Sequence, residues 1–184
     1  MQQSFVRSSA LGYTLLIFVS LGLAVLEGRL HDIFRFPGWS RTGSNVLIGL
    51  LLAISVLLAS AAMRGSFRWA KQLECEFRLL LTPIRFDGVV ILAIASGIAE
   101  ETFFRAIMQP AFGLWVTSLT FGLLHYPANR RLIPWTIIAT AIGFLFGVVY
   151  EATGSLLAVS LAHGLINFIE LFNIYRGPDP HLTA

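Results

Sequence analysis

Two adjacent glutamates and an arginine, Glu100, Glu101 and Arg105, stand in GIAEETFFRAI (97–107), inside a stretch that otherwise calls for hydrocarbon around it. An ionisable side chain at mid-bilayer costs at least about 2.5–3.5 kcal/mol on insertion scales. Three so close together need mutual pairing or a function. Successive helical residues turn by about 100°, which sets Arg105 almost above Glu101 and lets the two neutralise each other. Glu100, five residues before Arg105, points away from it and has no local partner. Its own face carries Ser96, Gly97, Phe103 and Phe104, the small and apolar surroundings that tune a carboxylate for general-base work.

Two histidines fall in apolar runs. His125 closes FGLLH (121–125), and His163 opens HGLIN (163–167), with Asn167 one turn on and on the same helical face. At about 1.5 Å rise per residue, these residues and Glu100 sit in the central part of a slab about 30 Å thick. A glutamate and a histidine facing one water can hydrolyse an amide without a covalent intermediate. The carboxylate takes a proton from water, and the histidine assists and later protonates the leaving amine. His163 and Asn167 would donate hydrogen bonds to the oxyanion.

Other chemistries lack their residues. There is no HExxH helix for a zinc protease. Asp32, Asp87 and Asp179 all lie outside the apolar runs, so no intramembrane aspartate pair exists. Ser96 or Ser155 with His163 could form a nucleophile and base, but neither serine has a flanking pattern that argues for it. Four alternatives stay open on the residues alone. The charged groups could form a helix-packing network, with Glu100 bonded to a donor on another helix. Glu100, His125 and His163 could hold a zinc ion with water as fourth ligand. Intramembrane carboxylates and histidines also serve transporters, and a silent immunity or scaffold protein is a further non-enzymatic reading.

The elements that must position these groups are membrane helices. Of 184 residues, 56% are hydrophobic and 12% charged, with a mean hydropathy of +0.76; a globular domain is nearer a quarter charged. A span needs about 20 apolar residues, and six runs qualify or come close: 10–26, 44–63, 88–108, 111–126, 133–150 and 154–172. The fourth is the shortest, bracketed by Pro110 and Pro127. The expectation is an all-α polytopic bundle, one integral-membrane domain over 1–184 with a catalytic core at 88–173. No small-x-small site follows the first run, so it is expected to stay as an uncleaved helix. Gly143 and Gly147 in GFLFG offer a small face for close helix packing.

Residues 64–87 differ from the rest. Arg64, Arg68, Lys71, Glu74, Glu76, Arg78 and Arg85 alternate with Phe67, Trp69, Leu73, Phe77 and Leu80, the pattern of an amphipathic helix lying at the headgroups. The single cysteine, Cys75, lies in this segment and carries no nucleophile signal. The net charge of +3 reflects topology and not a nucleic-acid partner. With the N-terminus inside, nine bases fall on the inner side and three (Arg29, Arg35 and Arg41) on the outer, with Arg105 set apart in the membrane. The positive-inside rule then puts both termini in the cytoplasm.

EETFFR (100–105), FGLLH (121–125) and HGLIN (163–167) match EExxxR, FxxxH and HxxxN, in that order and each in an apolar run. On these motifs the chain resembles the CPBP family of glutamic-type intramembrane proteases, which includes the CAAX-processing prenyl endopeptidases and many bacterial relatives. The resemblance covers about residues 88–173, and the first two helices carry no diagnostic residue. It implies a peptidase in a bacterial inner membrane, acting on a membrane-anchored or lipidated protein without a cofactor. By it, Glu100 activates water, His125 is its partner, His163 and Asn167 stabilise the oxyanion, and Glu101 and Arg105 support the helix. Two departures stand out. Ala106 follows the motif arginine where many members have glycine, and the spacing from Glu100 to His125 is short, so the connection around Gln109 and Pro110 must be tight.

Overall fold

A computed structural model describes residues 2–34, 39–126 and 129–177. Arg35, Pro127 and Asp179 lie outside the described residues. In chain order the elements are α1 (Gln2–Leu26), the short α2 (Leu30–Phe34), α3 (Trp39–Ser66), α4 (Arg68–Leu81) and α5 (Phe86–Glu101). A π-helical segment (Thr102–Met108) leads into α6 (Gln109–Leu124). A 3₁₀ turn (Arg130–Leu132), α7 (Ile133–Thr153) and α8 (Leu156–Arg176) follow. The all-α class is as expected, and among the described residues there is no strand.

Four helical stretches are long and apolar enough to cross a membrane singly: Ser4–Leu26, Arg41–Ser66, Arg130–Thr153 and Leu156–Arg176. A fifth is added only if the bent pair Arg68–Leu81 and Phe86–Leu124 counts as one span. The protein is therefore an integral membrane protein. The expected third and fourth runs are two helical arms, but they join at Gly113 and not at 109–110. The chain turns back at Gly113, whose φ of 78° and ψ of 169° belong to a region open to glycine alone. The reversal is visible in the rings it brings together, since Phe104 and Phe121 have centroids 4.9 Å apart. Beyond Gly113 the returning arm has only the residues to Leu124, about 17 Å of helix at 1.5 Å each, too short to qualify as a separate span.

The π-helical segment has a local cause. Pro110 offers no N–H, and its ring crowds the carbonyl four residues back. Widening the preceding turn relieves that clash, and the Gln109 N–H accordingly donates five residues back, to the Phe104 carbonyl. Such wide turns recur at functional sites, and this one begins directly after Glu101.

The amphipathic segment forms a helix only over Arg68–Leu81, because residues 64–66 continue α3 and the residue before Pro83 is pushed out of helical geometry. Its axis turns 112° from the helix that follows. Ala70 and Leu73 are buried on its inner face. Ion pairs from its polar side tie helix ends together. Arg78 bonds to Glu74 and to the Ile174 carbonyl, and Arg131 reaches Glu76. Arg64, at the end of α3, pairs with Glu170 of α8 at 2.9 Å. The Gly88 Cα faces Val6 of α1. The starts of α1, α5 and α7 and the ends of α3 and α8 thus gather at one end of the bundle, where Arg7 and the eight other bases counted on one side are found.

α8 is central, packed against both α3 and α5. Its crossing with α5 is very close. A Cβ on Gly97 would lie 2.8 Å from the Gly164 nitrogen and 2.9 Å from the Ser160 carbonyl oxygen, so backbone meets backbone there. The small face of α7 is used as expected, with Gly143 against the Phe121 ring and Gly147 beside Arg105 and Gln109. Leu52, Phe146, Val159, Ala162 and Ile166 form the core between α3, α7 and α8. Large apolar side chains such as Leu11, Phe18, Leu58, Trp115 and Ile137 face outward, as lipid contact requires.

Candidate active site

The α5–α8 crossing delivers the polar groups to one place. Ser96 and Glu100 lie one turn apart on α5, and His163 and Asn167 one turn apart on α8, with the Gly97–Gly164 contact between them. Without a side chain at that contact, the helices come close enough for direct bonds. Asn167 donates to the Ser96 hydroxyl at 2.8 Å, and His163 Nδ1 lies 2.7 Å from Glu101 Oε1.

Glu101 and Arg105 pair as the helical spacing requires, with Arg105 Nε donating to Glu101 Oε2 at 2.9 Å. Both side chains are 0% exposed. A buried ion pair needs its remaining valences met, and neighbours outside the motif meet most of them. Arg105 Nη1 donates to Gln109 Oε1 at 3.0 Å. Gln109 Nε2 donates in turn to the Gly147 carbonyl and to Glu151, each at 3.0 Å. The guanidinium also stands 5.8 Å from the centroid of the Phe121 ring, a cation–π distance. Gln109 was not singled out from the sequence. Its signal was present, as a polar side chain four residues after Arg105.

Glu100 and Glu101 divide between two environments, as their angular separation implies. Glu100 is buried, and its Oε2 has no hydrogen-bond partner. That oxygen lies 3.7 Å from His125 Nε2 and 3.9 Å from His163 Nε2. α1 packs along α5, which carries Glu100 and Glu101, and along the π-helical segment after it.

The two histidines present the same nitrogen to Glu100. His125 Nδ1 lies 2.7 Å from the Phe121 carbonyl. A carbonyl can only accept, so Nδ1 carries the proton and Nε2 faces Glu100. The imidazole packs on the Phe121 ring, 4.4 Å between centroids and tilted by 32°, and stands edge-on to Trp135. His163 turns Nδ1 to Glu101, leaving Nε2 for the side of Glu100. Of the four residues expected at the centre, Glu100, His125 and His163 converge. Asn167 stands one turn away, held by Ser96.

The serines have structural bonds. The Ser96 hydroxyl donates to the Ala93 carbonyl at 3.3 Å, and Ser155 caps α8 by accepting from the Ala158 N–H. Cys75 is exposed and free. Among the described residues, no group of three or more His, Cys, Asp or Glu side chains is disposed to hold a metal ion.

The fold and the site define an all-helical integral membrane protein with a buried carboxylate between two imidazoles. Residues 84–169 match the family described as type II CAAX prenyl endopeptidase Rce1-like, the same part of the chain that carries the three motifs of the CPBP resemblance. An uncharacterized protein of Bacillus subtilis (strain 168), YpbD, is 40% identical over 124 residues. That alignment covers 66% of this chain and 64% of YpbD, so the chain spans just under two thirds of that relative's length. No solved structure matches.

Proposed function

We propose that the protein is an intramembrane endopeptidase that hydrolyses a peptide bond of a membrane-anchored or lipidated protein, with water activated by Glu100. The observation that supports it most is the buried, unpartnered Glu100 Oε2 between two imidazole nitrogens at 3.7 and 3.9 Å. Those separations exceed a direct hydrogen bond and suit groups that share a water. The Rce1-like match at 84–169 adds the reaction class, since the family it names consists of endopeptidases.

In this reading Glu100 removes a proton from water while the resulting hydroxide attacks the scissile carbonyl carbon. The carbonyl π pair moves to oxygen. A doubly protonated His163 donates Nδ1–H to Glu101 and has Nε2–H left for that oxyanion, with the Asn167 amide beside it. Collapse restores the carbonyl and breaks the C–N bond. The proton held by Glu100, relayed through His125 Nε2, goes to the leaving nitrogen. The products are a carboxylic acid and an amine, and no covalent intermediate forms. Glu101 and Arg105 hold His163 and the helix in register, and no cofactor takes part. The end of the bundle that gathers nine bases faces the cytoplasm, with α4 in the headgroup layer beside the site and a bacterial inner membrane as the location.

Glu100→Gln keeps the side-chain volume and removes the base. In cells, comparison of membrane-protein termini by mass spectrometry with the wild-type chain and with Glu100→Gln should reveal a terminus that depends on Glu100. Cleavage of that substrate should survive a strong chelator. Substantial turnover by a folded Glu100→Gln protein would overturn the assignment of the base.

A further inference from the structure

We infer that Trp135 of α7 is a positioning residue for His125: its indole ring, itself seated by Phe77 of α4, keeps the imidazole turned so that Nε2 stays aimed at Glu100. The inference rests on the reading of His125 as the partner of Glu100, and it ties α4 to the site.

His125 stands where outside support is needed. It is the residue that ends α6, with φ −89° and ψ 8°, and its side chain is 24% exposed. One hydrogen bond, from Nδ1–H to the Phe121 carbonyl at 2.7 Å, fixes the place of Nδ1. A carbonyl accepts over a broad range of directions, so that bond alone lets the ring swing and carry Nε2 away from Glu100. The Phe121 ring packs on the imidazole, but Phe121 is one turn back on the same helix and moves with it. The Trp135 ring comes from another helix. It stands 6.1 Å from the imidazole between centroids, at an interplanar angle of 72°.

Trp135 is itself wedged in place. It lies in the first turn of α7, directly after Pro134, whose fixed φ suits a helix start. Its ring packs against the cluster of Phe104, Phe121 and Ala139. From the other direction Phe77 of α4 meets it edge-on, 5.2 Å between centroids at 83°. Both edge-on contacts have the arrangement that aromatic pairs prefer. Phe77 is in turn packed on Ile84, Val89, Leu92 and Ile174. Its neighbour Glu76 pairs with Arg131, just ahead of α7, at 3.0 Å. An exposed pair of that kind adds little, so the rings carry the connection. A path of ring contacts thus runs from α4 through Trp135 to His125. Relay of a proton from Glu100 to the leaving nitrogen requires Nε2 in one place, and a misplacement of about 1 Å can cost roughly a hundredfold in rate.

Trp135→Leu, Trp135→Phe and Phe77→Leu test this in the full-length protein in lipid bilayers. The first measurement is solid-state nitrogen NMR of protein labelled at the histidine rings, at a pH where the imidazoles are neutral. The signals that vanish in His125→Gln belong to His125, and in the parent they should report one tautomer, protonated at Nδ1. Trp135→Leu should give a mixture of tautomers, and Trp135→Phe should return most of the parent signal. The second measurement is turnover of the protein whose terminus depends on Glu100. There kcat should fall roughly tenfold in Trp135→Leu with KM unchanged, the loss of about one aromatic contact, and less in Trp135→Phe. Phe77→Leu keeps an apolar side chain in its cluster and should change both readouts in the same direction by a smaller amount, so it carries the test if Trp135→Leu does not fold. Unchanged His125 signals in the leucine variants, or changed signals with unchanged kcat, overturn the inference. A raised KM at unchanged kcat overturns it as well and assigns Trp135 to substrate binding. Full turnover by His125→Gln would instead show that the reading of His125 is at fault, a result separate from the NMR of its ring.

Discussion

His163 Nδ1 lies 2.7 Å from Glu101 Oε1 across the α5–α8 contact, although Glu101 already accepts from Arg105 on its own helix. One carboxylate thus serves a guanidinium of its own helix and an imidazole of another, while its neighbour Glu100 is left for the chemistry. The division explains why two consecutive glutamates are needed. One builds the wall of the site and the other works in it.

Glu101→Gln should damage folding more than any change at Glu100. It leaves the fully buried Arg105 without its anion, and breaking a buried pair costs about 3–5 kcal/mol. Thermal unfolding in detergent should show a large drop for Glu101→Gln and a midpoint near the parent for Glu100→Gln. Equal midpoints for the two variants would contradict the division of roles.

Gly97→Ala is the smallest change that should separate the helices. Its Cβ would meet the Gly164 nitrogen and the Ser160 carbonyl oxygen, both backbone atoms that cannot rotate away. Overpacking of this kind costs about 1–3 kcal/mol. Moving α5 away from α8 would also lengthen the Glu101–His163 and Ser96–Asn167 bonds, so turnover should fall together with stability. A variant with full activity and an unchanged midpoint would mean that the crossing tolerates a methyl group.

His163→Ala and Asn167→Ala should each lower kcat by about 10²–10³, the usual loss for one oxyanion donor. Ser96→Ala should produce a smaller fall, because it releases the Asn167 amide without removing it. Steady-state kinetics on the protein identified through Glu100→Gln would check this. If either α8 variant raised only KM, its residue would belong to substrate binding.

The proposed orientation can be read from thiol labelling in a Cys75→Ser background. Phe112→Cys lies at the reversal beside Gly113, and Asn129→Cys lies at the opposite end, next to the 3₁₀ turn. A membrane-impermeant reagent added from outside intact cells should label Phe112→Cys alone, and in inverted vesicles it should label Asn129→Cys alone. The opposite pattern would place the basic end outside and reverse the topology.

What the sequence determined by itself was whatever depends on local periodicity. The pairing of Glu101 with Arg105, the separation of Glu100 from both, and the shared face of His163 and Asn167 all follow from about 100° per residue. The apolar runs likewise announced helices in a bilayer. What only the tertiary structure decided are the contacts between helices distant in sequence. His163 of α8 reaches Glu101 of α5 only because two glycines let those helices touch. Gln109 reaches Gly147 and Glu151, and Asn167 reaches Ser96, for the same kind of reason. The third and fourth apolar runs were legible as two arms, with their joint expected around Gln109 and Pro110. The fold instead turns the chain back at Gly113, where the lack of a Cβ permits a backbone angle that no periodicity reveals.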